Sequence, residues 1–144
     1  LEGLVAAGLR VEVHGGGWGR EPALAAAWRG HADPARLRSA CEGAILQVVL
    51  VRRANRDGHV MRTFEAAASG GCLLVEDTDE HRDLLGDTAT YFRTEQELVR
   101  AARALLDAPP AARESLARAS HERVVRGGNT YDDRLRALLA WAPP

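Results

Sequence analysis

Lysine is absent from this chain, and all 19 of its cationic side chains are arginine. Any phosphate clamp built here must use guanidinium groups or backbone N–H groups rather than ammonium point charges. Cysteine is scarce: Cys41 and Cys72 have neither a CxxC pattern nor metal-finger spacing, and both fall in apolar surroundings. That argues against a disulfide framework or a thiolate metal site and reads as two buried free thiols. No run of 18 apolar residues occurs, and the first residues lack the basic and apolar regions of a secretory signal. The expectation is a cytoplasmic protein without a transmembrane segment. An excess of one charge is also missing, since 19 basic against 20 acidic residues leave a net charge of −1. There is no basic footprint for nucleic acid, so charge has to be read locally.

What is present is a globular composition, 46% hydrophobic and 27% charged over 144 residues, suited to one domain with one core. The chain opens at Leu1 in what reads as the middle of a helix, so the expectation is a piece of a longer protein. Helical segments alternate with short apolar runs, which predicts an α/β domain with a mainly parallel sheet. "LEGLVAAG" ends a helix at Gly8, and "LRVEVH" follows as a strand with Leu9, Val11 and Val13 on one face. Residues 20–32 read either as a helix from Pro22 to Trp28 or as an irregular connection. Asp33 and Pro34 form an N-cap and first-turn pair for a helix closed by Gly43. "AILQVVLV" then predicts a central strand covered on both faces.

After a charged loop at 52–58, a helix from about His59 to Ser69 leads through Gly70-Gly71 into the strand "CLLVE". Asp77 with Glu80 looks like the next helix start, and "ATYF" reads as a short peripheral strand. The last third is helical, with capping pairs Thr94/Glu97 and Thr130/Asp133 and a Pro109-Pro110 break. Its arginines read as solvated faces.

In a parallel sheet, ligands sit at the carboxyl ends of the strands, and the loop after Val51 is such a place. Gly58 allows close backbone approach, and the free N–H groups at about His59 to Arg62 can take an anion at the helix start. Arg62, Glu65 and Ser69 fall on one helical face, and Val60, Phe64 and Ala67 on another. A carboxylate at Glu65 can accept two hydrogen bonds from a vicinal diol such as a ribose, with Arg62 pairing with phosphate or orienting it. Spacing alone favours the simpler reading, an exposed i, i+3 ion pair.

"NRDGHVMRTFEAAASGGCLLVEDTDEHRDLL" resembles the core motif of the glycosyl transferases group 1 C-terminal domain, especially the subgroup similar to the CgeB spore-maturation protein. "GLRVEVHGGGW" and "NTYDDRLRALL" are similar to flanking segments of that family, with Thr130, Tyr131 and Arg134 in register. The likeness covers most of the chain and is poorest over 20–32.

The resemblance implies a GT-B glycosyltransferase of two Rossmann-like domains. This chain would be its C-terminal half: a single donor-binding domain over 1–144 with a parallel sheet flanked by helices and a helical C-terminal segment. The domain's first strand and the N-terminal Rossmann-like acceptor domain would lie upstream. The donor would be a nucleoside diphosphate sugar and the acceptor is open; no metal and no further cofactor are implied. Glu65 takes the position of the glutamate that binds the ribose diol. Asp57 stands where the family has the first glutamate of its E-x7-E motif, which contacts the transferred sugar, and aspartate is one methylene shorter. The backbone of Gly58, His59, Val60 and Met61 matches the segment that approaches the diphosphate. Arg62, or Arg52 and Arg53, would replace the basic pair of related enzymes. Gly15–Gly19 lacks a phosphate-loop context, and by resemblance borders the donor cleft, with Trp18 able to close it. Asp57 in place of glutamate also supports a different class, a non-catalytic Rossmann-like or flavodoxin-like module that senses nucleotides or binds partners.

Overall fold

The computed structural model describes residues 1–51 and 61–141. Helix α1 (Glu2–Ala6) is followed by an extended segment, two 3-10 turns at Trp18–Arg20 and Pro22–Leu24, and α2 (Pro34–Gly43). Then come β1 (Gln47–Val49), α3 (Met61–Ala68), β2 (Leu73–Glu76), α4 (Asp79–Leu85) and β3 (Thr90–Phe92). The chain finishes with α5 (Glu95–Asp107), α6 (Pro110–Arg126) and α7 (Tyr131–Trp141).

The sheet is parallel throughout, in the order β1-β2-β3, with Gln47 opposite Leu73, Val49 opposite Val75, and Glu76 opposite Phe92. Leu73 and Val75 point into a core with Ala66 and Ala67 of α3, Leu85 of α4 and Val124 of α6. Leu74 points the other way, into a core with Leu4 of α1, Phe92, and Leu98 and Ala102 of α5. Both faces of β2 are thus sealed, which is why its sequence is continuously apolar rather than alternating. This is a Rossmann-like α/β arrangement with a helical C-terminal segment.

Two expectations about strands are corrected. "AILQVVLV" forms only the three-residue β1 and is an edge strand among the described residues, and "CLLVE" supplies the centre. Ile45, at its start, is 59% exposed. The run "LRVEVH" makes no ladder: Leu9 and Val11 do pack into the second core, but the main-chain pairing goes to residues 27–29. Val13 N–H donates to Ala27 O and Arg29 N–H donates to Val13 O, each at 2.9 Å. Residues 20–32 are accordingly the irregular alternative, pinned by Trp28, whose Nε1 donates to Gly15 O at 2.8 Å.

The caps show how local the remaining signals are. Asp33 accepts from Arg36 N–H (2.9 Å), Thr94 from Glu97 N–H (3.2 Å), and Thr130 from Asp133 N–H (3.1 Å), as their spacing predicts. The start of α4 is shifted: its cap is Thr78, accepting from His81 N–H at 3.1 Å, because the Asp77 carboxylate is held by two arginines. Two arginines of α6 are latches rather than solvated charges. Arg113 donates to the carbonyls of Leu105, Leu106 and Ala108 at the end of α5, and Arg123 donates to those of Leu84 and Asp83. Both satisfy carbonyls that a helix end leaves without a partner. Cys72 is buried, whereas Cys41 is only half-buried, and both are free thiols.

Candidate functional site

The carboxyl edge of the sheet is formed by the residues after Val49, Glu76 and Phe92. Glu76 turns its carboxylate back along this edge, where Oε2 accepts from Val51 N–H at 2.8 Å. Next to it, Asp77 N–H donates to Phe92 O at 2.8 Å, tying β2 to β3. The Asp77 side chain is only 7% exposed and receives Arg82 through both Nε and Nη2, and Arg93 through Nε. The hydrogen bond from Arg82, then the charges of Arg82 and Arg93, hold its carboxyl below the usual aspartate range against a smaller opposing effect of burial. Arg82 also lies 4.3 Å over the Tyr91 ring. Burial pushes the Tyr91 phenol up, and its hydroxyl donates to Gly86 O at 2.6 Å.

Helix α3 is the element on which the sequence concentrates candidate chemistry. Its inner face holds Thr63, Ala66 and Ala67, which close it against β1 and β2. Its outer face carries Arg62 and Glu65, with side chains 60% and 48% exposed, joined by an ion pair between Nη1 and Oε2. Glu65 Oε1 takes no hydrogen bond among the described residues. Met61, at the start of the helix, is 59% exposed, and its sulfur receives the Tyr131 hydroxyl at 3.7 Å. Asp57, Gly58, His59 and Val60, expected at the donor, lie outside the described residues, as do Arg52 and Arg53.

Ser69 does not share the open polar face expected for it. It is half-buried, donates to Ala66 O at 2.9 Å and accepts from Gln47 Nε2 at 3.1 Å. Cys41, at the end of α2, stands close enough to α3 for Arg62 and Glu65 to act on it with opposite signs. Burial is the larger influence and pushes its thiol up.

The glycine-rich loop and Trp18 line an open depression of about 680 Å³ together with Leu24, Glu21 and Leu50, just past β1. Arg62 and Glu65 are not among its lining residues. Several polar groups escaped the sequence reading. His81 is fully buried and reaches both Glu76 and Thr63. The ring nitrogens of His14 are buried without a hydrogen bond among the described residues, with Glu12 Oε2 at 3.9 Å from Nε2. The burial of His81 carries no sequence signal, because Thr63, its partner at Nε2, is supplied by another element.

A parallel sheet closed on both faces by helices, with charged groups gathered at its carboxyl edge, defines a Rossmann-like domain. The chain belongs to the glycosyl transferase-like family, whose model matches residues 1–140. Membership in that family implies a sugar donor and an acceptor. A search of curated proteins finds no match. Among the described residues, no helix is long and apolar enough to cross a membrane.

Proposed function

We propose that this chain is the donor-binding C-terminal domain of a GT-B glycosyltransferase of the CgeB-like subgroup, taking a nucleoside diphosphate sugar. The observation that carries the reading is Glu65, a carboxylate on the exposed face of α3 with one oxygen that takes no hydrogen bond among the described residues, inside a family match that spans the motif. In this reading Glu65 accepts hydrogen bonds from the ribose diol, and Arg62 turns from Glu65 toward the diphosphate. The backbone of Gly58, His59, Val60 and Met61 approaches the diphosphate, and Asp57 contacts the sugar. The bond from the anomeric carbon to the diphosphate oxygen breaks, one from that carbon to the acceptor's nucleophilic atom forms, and the acceptor's proton passes to a base of the acceptor-binding domain. The leaving diphosphate takes the negative charge, so positively polarised N–H groups and arginine lower the barrier. An upstream Rossmann-like domain supplies the acceptor site, and the chain alone does not turn over.

Titration calorimetry with UDP, GDP and their sugars tests this. The expected result is binding of one nucleoside diphosphate, weakened at least about tenfold, roughly 1.4 kcal/mol, in Glu65→Ala. Absence of binding, or binding indifferent to that substitution, overturns the donor-site assignment. The Arg62–Glu65 ion pair itself favours a second reading, a non-catalytic Rossmann-like module in which the pair is a surface contact. That module predicts Glu65→Ala without effect on any ligand.

A further inference from the structure

One side chain that ties α3 to both β2 and α4 is not on α3. His81, in the first turn of α4, is fully buried, and its two ring nitrogens reach in opposite directions. Nδ1 lies 2.7 Å from Glu76 O, and Nε2 lies 2.9 Å from Thr63 Oγ1. A carbonyl oxygen can only accept, so Nδ1 carries the hydrogen, and in the neutral ring Nε2 accepts from the Thr63 hydroxyl. The backbone of the same residue is fixed as well: His81 N–H donates to Thr78 Oγ1, and its carbonyl accepts from the Tyr91 hydroxyl at 3.3 Å. The imidazole therefore has a single orientation, set by β2, α4 and β3 together.

Thr63 is fully buried and stands between Arg62 and Glu65 in sequence, on the opposite side of the helix. A bond made by Thr63 to a fixed point on β2 and α4 sets the rotation of α3 about its axis and its position along it. Those two parameters decide where Arg62 and Glu65 point. Beside the small Ala66 and Ala67, Phe64 packs against the same core, and the Ser69–Gln47 bond holds the far end of the helix, so the Thr63–His81 bond is the directional contact near the end that carries Arg62 and Glu65. Glu76 lies at the other end of the same chain of bonds, and its carboxylate holds Val51 at the end of β1.

We propose that His81 and Thr63 are positioning residues that lock the register of α3, so that Arg62 and Glu65 are presented to the donor in one geometry. The claim about the donor rests on the function proposed above; the claim about the helix does not. The lock is a hydroxyl-to-imidazole bond, so an isosteric loss of the hydroxyl breaks it while keeping the volume of the core.

The test compares wild type, Thr63→Val and Thr63→Ser in the 144-residue chain, below the Tm of each variant. Amide exchange without nucleotide, nitrogen NMR of the His81 ring, and calorimetry with UDP and GDP are the readouts. Thr63→Val is expected to speed exchange of the α3 amides at least tenfold relative to those of β2, to move the Nε2 resonance, and to weaken nucleoside diphosphate binding at least tenfold. Thr63→Ser is expected to return all three to near wild type. Unchanged α3 exchange in Thr63→Val overturns the lock. Exchange that rises while affinity stays at the wild-type value overturns its role in presenting Arg62 and Glu65 and leaves the donor reading standing. If the wild type binds no nucleoside diphosphate, the donor reading and the presentation claim fail together, and exchange with the His81 resonance alone decides the lock.

Discussion

Asp77 accepts two guanidinium groups while almost closed to solvent, so at the scale of single residues it is the charged group most tied to the folded state at the carboxyl edge. Its carboxyl is held below the ordinary value of 3.8, chiefly by the hydrogen bond from Arg82. A carboxylate with a depressed folded pKa contributes stability that is fully present above its unfolded pKa and is lost as pH falls through the folded one. Asp77→Asn is therefore expected to lower Tm near neutral pH by a few degrees, for a network worth about 1 kcal/mol. The gap to wild type should close as pH falls below the usual aspartate range. Thermal melts between pH 7 and pH 3 check this, and a gap constant across that range would show that packing around Asp77, not its charge, is what matters. The sequence marks Asp77 as a helix cap, because cap patterns are local. Its real partners, Arg82 and Arg93, are five and sixteen residues away, and only the adjacency of β2 and β3 brings Arg93 near.

Between α3 and β2, the element-scale constraint is the pair Gly70-Gly71. Gly70 has φ of +77°, a left-handed turn that an L side chain disfavours. Gly71 has a different reason: a Cβ there would fall 2.5 Å from Gln47 Cδ and closer still to Nε2. Gln47 is not free to swing away, since Nε2 donates to Cys41 O and Ser69 Oγ, joining the ends of α2 and α3 to the start of β1. Gly71→Ala is expected to cost about 1–3 kcal/mol by overpacking, measured by urea unfolding, and Gln47→Ala in the same chain should recover part of it. Additive losses in the double variant would mean that the two side chains do not meet. The Gly-Gly break, the helix ahead of it and the caps at Asp33, Thr94 and Thr130 were legible in the sequence because each depends on neighbours in the chain. Which strand is central was not legible. "AILQVVLV" is longer and as apolar as "CLLVE", and the difference between edge and centre lies in pairing partners far away in sequence. On α3, the shared face and ion pair of Arg62 and Glu65 were legible from their spacing, and the Thr63–His81 contact was not, because eighteen residues separate its ends.

At the scale of the whole molecule, the described residues form two cores on opposite faces of the sheet, and the last helix belongs to neither. Helix α7 contains no buried residue. Tyr131, Leu135, Leu138 and Leu139 follow the helical repeat on one side, yet remain 56–80% exposed, and Trp141 is 86% exposed. Apolar area that stays in water contributes nothing through burial, so the stripe adds little to folding despite its composition. The described links from α7 to the rest of the chain are polar or peripheral: Tyr131 to the sulfur of Met61, and Arg134 to Asn129 at 2.7 Å. A chain ending at Asn129 should then keep its Tm within a few degrees of the 144-residue form, because neither core loses a side chain. By contrast, a single truncation in the central strand, where Leu74 is fully buried, carries the cost of a cavity. Differential scanning calorimetry of the shortened chain decides the matter. A loss of ten degrees or more would mean that α7 packs against the domain in solution, whereas an unchanged transition with reduced self-association at high concentration would follow directly from removing an exposed apolar face.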